Sequence, residues 1–216
     1  MDAYRIRRAV NIYLVRHGET PYNRDGIGLG RMDAPLTPLG KAQATAAGAR
    51  VRSLKVDRVF SSPLTRASAV AVATGVSVEF DEALTEMDVG ETEGLAFAEM
   101  RERFAPFLAE WAGPNGHAVR MPGGESIEDV RDRLAPLLAL VRSLDTGAVA
   151  IVSHNFVLRV ALCELLGLGV NSFRAFTVDL ASVTCVGLSR ERATLAYLND
   201  TCHLSNLNVD PSGLSL

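Results

Sequence analysis

The sequence is short of cysteine, of long apolar runs and of excess basic charge, and each shortage removes a class of protein. Its three cysteines, Cys163, Cys185 and Cys202, are odd in number and widely spaced, with no Cys-x-x-Cys pair. That argues against a disulfide framework or a cysteine zinc site and for reduced thiols in a cytoplasm. No segment approaches the roughly 20 apolar residues that span a bilayer. The opening "MDAYRIRRAVNIYLV" sets arginines before an apolar run, as a secretory signal does, but the run is too short and lacks a small-residue cleavage site. A formal charge of −3 gives no general attraction to nucleic acid or anionic lipid. Repeats, low-complexity tracts and linkers are also missing. What is present is 216 residues, 48% hydrophobic and 22% charged, enough for a substantial core. The expectation is a soluble cytoplasmic protein with a single domain over residues 1–205 and a C-terminal tail over 206–216.

Along the chain, Val10–Val15 reads as a buried strand, and "VDRVFSSP" supplies a second from Asp57 to about Ser61. "VSVEF" reads as a third strand and "AVAIVSH" as another buried one. Between them lie helical patterns. Thr37 caps a helix opened by Pro38, with Leu39, Ala42, Ala46 and Ala49 on one face and its small alanines close against a sheet. Pro63 opens a second helix running to about Ala73. Residues 84–125 break the rhythm with a helix near Ala96–Trp111 and the turn "AGPNGH", an elaboration over one end of the sheet. Ser126 and Asp129 have capping-box spacing for the next helix, which Pro136 is expected to kink or divide. Helix Phe156–Leu166 stops at Gly167, and "SVTCVGLS" and "TLAYLND" flank an "RER" turn as an antiparallel hairpin. The predicted fold is α/β: a three-layer αβα sandwich with a mostly parallel central sheet and helices on both faces.

Two of these strands run straight into a histidine, in "IYLVRHG" and "VAIVSHN". Ligands of parallel α/β sheets bind beyond the carboxyl ends of the strands, so His17 and His154 are expected at one edge. "SSPLTRA" puts Arg66 in the first turn of a helix, and Arg66 with Arg16 makes a candidate phosphate clamp. Asn23 can add a hydrogen bond from the loop after the first strand. Arginines around an imidazole depress its pKa and favour the neutral, nucleophilic form. They also neutralise the equatorial oxygens of a phosphoryl group in transfer. A departing alkoxide needs a proton, for which Glu86 in "LTEMDVGETEGL" is the candidate and Asp88, Glu91 and Glu93 its competitors.

"LVRHGET", "SSPLTRA", "LTEMDVGETEG", "PGGES" and "VSHN" come in an order that resembles the histidine phosphatase superfamily, the phosphoglycerate mutase-like proteins. The resemblance covers roughly residues 10–205. It implies a phosphatase that hydrolyses a small phosphomonoester, with His17 phosphorylated and then hydrolysed. Arg16, Arg66 and His154 would hold the phosphoryl group, and Glu86 would act as acid and then base. It implies neither metal nor cofactor. "LCELLGLGVNSFRAF", "DLASVT" and "LNDTCHL" are similar to the metal-independent phosphoserine phosphatases, in which the segment around the Cys-His pair shapes the pocket. Here that pair is Cys202 and His203, and those enzymes are often dimers, which implies a homodimer paired through a β-edge or the terminal hairpin.

Three departures bear on the substrate. Asn155 follows His154 where the superfamily often has Gly. Ile27-Gly28-Leu29-Gly30 replaces a more polar Arg-x-Gln-Gly, and Val89 stands where the phosphoserine phosphatases carry His. Asn23, Gly30, Asn155 and His203 are the expected substrate-binding residues, and a less polar ester than phosphoserine is favoured. The alternatives are a phosphoglycerate mutase, disfavoured because such mutases usually carry longer segments closing the site, and a phosphate-ligand-binding protein without turnover.

Overall fold

In the computed structural model, which describes residues 10–144, 147–189 and 192–207, the first apolar run forms β1 (Val10–Arg16). The other strands are β2 (Arg58–Ser61), β3 (Val78–Phe80), β4 (Ala148–Ser153), β5 (Val183–Leu188) and β6 (Ala193–Asp200). They make one sheet in the order β3-β2-β4-β1-β5-β6. β3, β2, β4 and β1 are mutually parallel, while β5 runs antiparallel to β1 and β6 antiparallel to β5. The mostly parallel sheet and the closing hairpin are as expected. Arg190 and Glu191 of its turn, and the tail beyond Leu207, lie outside the described residues.

Side-chain alternation divides the core into two. Ile12, Leu14, Val149 and Ile151 face α6 (Ile127–Ser143) and α7 (Asn155–Leu166), whose Val130, Leu134, Leu158 and Leu162 are buried with them. Tyr13, Val15, Ala150 and Val152 point the other way, onto α2 (Pro38–Ser53) and α3 (Thr65–Ala73). The central strands are therefore apolar on both faces, as a sheet covered by helices on each side requires. No helix among the described residues is long and apolar enough to cross a membrane.

Local predictions needed four corrections. α2 buries Gly40, Gln43, Ala44, Ala47, Gly48 and Val51, one position round from the face expected through Leu39, Ala42, Ala46 and Ala49. The glycines set this face, because a Cβ on Gly40 would fall 2.0 Å from the Glu19 carbonyl and one on Gly48 2.4 Å from the Ala73 Cβ. α3 begins at Thr65, with Pro63 outside it. The single helix expected over Ala96–Trp111 is two, α4 (Phe97–Arg103) and α5 (Ala105–Trp111), broken at Phe104 (φ −124°). Pro106 has no N–H to continue the first helix and suits the opening turn of the second. Of the kink or division expected at Pro136, the division does not occur, since α6 is one helix across it. That proline, which has no N–H to offer the Asp132 carbonyl, lies with Asp132 on the exposed face, while Leu134, Leu137 and Leu138 anchor the buried one.

The caps formed as read. Thr37 accepts from the Gly40 N–H, Ser126 and Asp129 complete a capping box, and Gly167 ends α7 at φ 71°. A four-residue helix, α1 (Pro21–Arg24), follows β1.

Candidate active site

The sheet register brings the two histidines together. Arg16 on β1 pairs with Ser153 on β4, so the next residues, His17 and His154, leave the sheet side by side. The His17 N–H donates to the Ser153 carbonyl at 3.1 Å, and the two imidazole centroids are 5.1 Å apart. β2 delivers Ser62 to the same edge, its N–H on the Val152 carbonyl at 3.0 Å.

His17 is 3% exposed, and its Nδ1 lies 2.7 Å from the Gly18 carbonyl, an acceptor only. Nδ1 therefore carries the proton, and Nε2 keeps its lone pair. Burial first, then the charges of Arg66 and Arg16, hold the His17 pKa well below the usual histidine value, so the ring is neutral near pH 7. His154 is neutral for the same reasons. Its Nδ1 accepts from Arg66 Nε at 3.2 Å, which puts the proton on Nε2, 2.8 Å from Ser62 Oγ.

The arginines differ in their surroundings. Arg66 donates from Nη1 to the Met32 carbonyl at 2.8 Å and from Nη2 to the Gly30 carbonyl at 2.6 Å. Arg16 donates from Nη1 to the Val178 carbonyl at 2.7 Å, while its buried Nε has no hydrogen-bond partner among the described residues. Burial lowers the Arg16 pKa to about 10, against the attraction of Glu86.

Glu86, 4% exposed, separates itself from the other acids of its loop. Burial raises its pKa, opposed by the Met87 N–H on Oε1 at 2.9 Å and by Arg66, Arg16 and Arg133. Glu93 is occupied instead by the backbone N–H groups of Gly30 and Met32, and Asp88 by that of Gly90. Glu91 is exposed. A cavity of about 470 Å³ is lined on its polar side by Arg16, His17, Asn23, Glu86 and Asn155. Among the described residues lining it, Glu86 is the one carboxylate.

A helix end contributes too. α7 starts at Asn155 with His154 as N-cap and no side-chain cap, and Asn155 and Phe156 both line the cavity. Its partial positive charge is therefore available to an anion there. α3, the helix expected to do this, has the Asp33 carboxylate on the Thr65 N–H at 2.8 Å.

The model of the histidine phosphatase superfamily (branch 1) matches residues 12–201. The chain belongs to that superfamily. Phosphoserine phosphatase 1 of Hydrogenobacter thermophilus is 32% identical over 206 residues, 93% of this chain and 97% of the relative. A Salmonella choleraesuis protein named "Probable phosphoglycerate mutase GpmB" is 35% identical over 164 residues, 74% of this chain and 76% of its own. A solved mycobacterial glucosyl-3-phosphoglycerate phosphatase aligns with a TM-score of 0.80 at 28% identity, covering 90% of this chain and 100% of that one.

Within this histidine phosphatase fold, two expected pocket residues lie elsewhere. Gly30 does not line the cavity; its N–H meets Glu93, its carbonyl holds Arg66, and a Cβ there would come 2.8 Å from the Met87 carbonyl. His203 sits in a 3-10 turn, Cys202–Leu207, that packs on α2. Its Nε2 reaches the Ala181 carbonyl at 2.9 Å, and the Ala181 N–H donates to the His17 carbonyl. His203 thus braces the backbone that carries His17. Arg66 and His154 do not line the cavity. Asn23 lines the cavity, but its Oδ1 serves the Thr20 cap of α1, leaving the amide nitrogen for a ligand.

Four residues near the site were missed. Ser62 stood unremarked inside "SSPLTRA". Arg159, a charge in the apolar run "FVLRVALC", lies near Glu86 and Asp179. Arg133 and Glu125 act through distant backbone and give no local signal. Arg133 donates to the carbonyls of Ala83, Thr85 and Glu86 and to the Glu125 carboxylate, which accepts from the Asp88 N–H at 2.9 Å.

Proposed function

We propose that this protein is a phosphatase that hydrolyses a small phosphomonoester through a phosphohistidine at His17. The observation carrying the proposal is a buried imidazole that keeps its Nε2 lone pair and lines the same cavity as Arg16 and the buried Glu86 carboxyl. The His17 Nε2 lone pair attacks phosphorus, and the P–O(alkyl) bond breaks with its electron pair going to the leaving oxygen. Glu86 passes its proton to that oxygen. Water then attacks phosphorus, giving a proton to the Glu86 carboxylate as the P–N bond breaks and the pair returns to His17. Arg16 and the N-terminus of α7 bind the phosphoryl oxygens. Arg66 adds a second cation near His17, oriented by His154. The proposal treats residues 1–205 as one domain with 84–125 covering the site. It takes the protein to be cytoplasmic and metal-independent, and a homodimer paired through a β-edge or the terminal hairpin.

Rapid quench with a ³²P-labelled ester should trap labelled protein that is stable in base and labile in acid, in a burst close to one equivalent. Phosphate release without such a species overturns the covalent route. The likeness to a protein named as a mutase supports a second reading, in which phosphate returns to substrate; 3- to 2-phosphoglycerate conversion without free phosphate would establish it.

Arg133 is a positioning residue in this scheme, since it fixes the backbone on both sides of Glu86 without lining the cavity. Arg133→Lys keeps the charge and loses the planar fork. It should lower kcat about 10- to 100-fold with little change in KM, because misplacing an acid by about 1 Å costs that much. A burst-kinetic comparison on an alkyl ester checks this, and an equal rise in KM would refute it.

A further inference from the structure

The cavity lining is chemically mixed. Besides Arg16, His17 and Glu86, it includes Leu29, Phe97, Phe107, Leu108, Trp111 and Phe156. Trp111 is braced edge-on by Phe156 at 5.8 Å and by Phe173 at 5.9 Å, with the Arg174 guanidinium 4.4 Å from its ring. Leu29, Phe97 and Leu108 are only partly buried and stand outside both core clusters. They give the cavity an apolar surface that the fold does not use for its own core.

The charge inventory points the same way. A phosphorylated amino acid brings an ammonium, and the one carboxylate among the described lining residues is Glu86. A substrate carboxylate would need a cation beyond Arg16. The other lining arginine, Arg101, is exposed and lies over the Phe97 ring at 4.8 Å. A volume of about 470 Å³ is that of a small-molecule site, far more than a phosphoryl group fills.

We infer that the substrate is the phosphomonoester of an alcohol bearing a bulky apolar group, aromatic or branched alkyl, seated against the Trp111 wall. Phosphorylated amino acids and hydroxy acids are poor substrates by comparison. The inference rests on the phosphatase proposal above and adds the class of the leaving alcohol.

Three alkyl esters test it: 3-phenylpropyl phosphate, glycerol 1-phosphate and phosphoserine. The phenylpropyl ester should exceed the other two in kcat/KM by about 100-fold, and Leu29→Gln or Leu108→Gln should each cut that ratio about tenfold. Equal or higher kcat/KM for phosphoserine overturns the inference and leaves the phosphatase proposal standing. Calorimetry with non-hydrolysable phosphonates separates the two. Tighter binding of 3-phenylpropylphosphonate than of methylphosphonate supports the ligand class, even if no ester is turned over, in which case the phosphatase proposal alone fails. Equal affinities overturn the inference whatever the turnover.

Discussion

His17→Ala should lower kcat on any phosphomonoester by about 10⁴-fold or more while the protein still folds. The magnitude is that of losing the nucleophile of a covalent pathway, where the remaining groups bind substrate but have no bond to make. Folding should survive because His17 is neutral and, among the described residues, its side chain makes one hydrogen bond, to the adjacent Gly18 carbonyl. The contacts that place this residue are made by its backbone, to the Ser153 carbonyl and from the Ala181 N–H, and alanine keeps both. The thermal midpoint should therefore stay within a few degrees of wild type, and labelled ester should leave no phosphoprotein. Wild-type turnover by a folded His17→Ala protein would remove the covalent route altogether. Loss of activity with loss of fold would be uninformative for alanine alone, so His17→Asn, nearer in shape, is measured beside it. It should be equally inactive.

How much of this was legible depends on how local the cause is. The pairing of His17 with His154 could be foreseen because each ends a buried strand, and parallel strands deliver their carboxyl ends to one edge. The buried face of α2 was misjudged because its close-packing residues are Gly40, Gln43 and Gly48, which carry no hydrophobic signal. Gln43 is buried to accept the Glu19 N–H at 2.7 Å, a contact across 24 residues. Four carboxylates crowd Glu86–Glu93, and nothing within the segment ranks them. The ranking is made by the fold: Glu86 is the buried one of the four, and Arg133, far along the chain, holds the Ala83, Thr85 and Glu86 carbonyls. His203 stands away from the cavity lining because a short turn after β6 packs on α2 and takes its ring to the Ala181 carbonyl. The apolar cavity, in contrast, was announced by Ile27, Leu29 and Val89, since those side chains line it directly.

Glu86→Gln should reduce kcat on an alkyl ester by about 10²- to 10⁴-fold, the usual yield of a positioned general acid. An aryl ester such as 4-nitrophenyl phosphate, whose leaving oxygen needs little protonation, should lose far less in the first step. The pH dependence identifies the group. Burial raises the Glu86 pKa, so the protonated form persists above the ordinary carboxylate range and is lost as pH rises through the raised value. The wild-type rate on an alkyl ester should fall on that alkaline side. His17, held well below its usual value, costs activity only at a pH lower than an ordinary histidine would. Stability follows the same proton. The folded state holds it more tightly than the unfolded chain, so the contribution is complete below the unfolded pKa and disappears as pH rises through the folded one. Glutamine has no such loss, and Glu86→Gln should melt higher than wild type on the alkaline side while being far less active. Calorimetry and rate profiles over one pH range measure both. An alkaline limb that persists unchanged in Glu86→Gln would move the acid to another group, and a lower melting point there would mean that Glu86 is stabilised as its anion by Arg16 and Arg66.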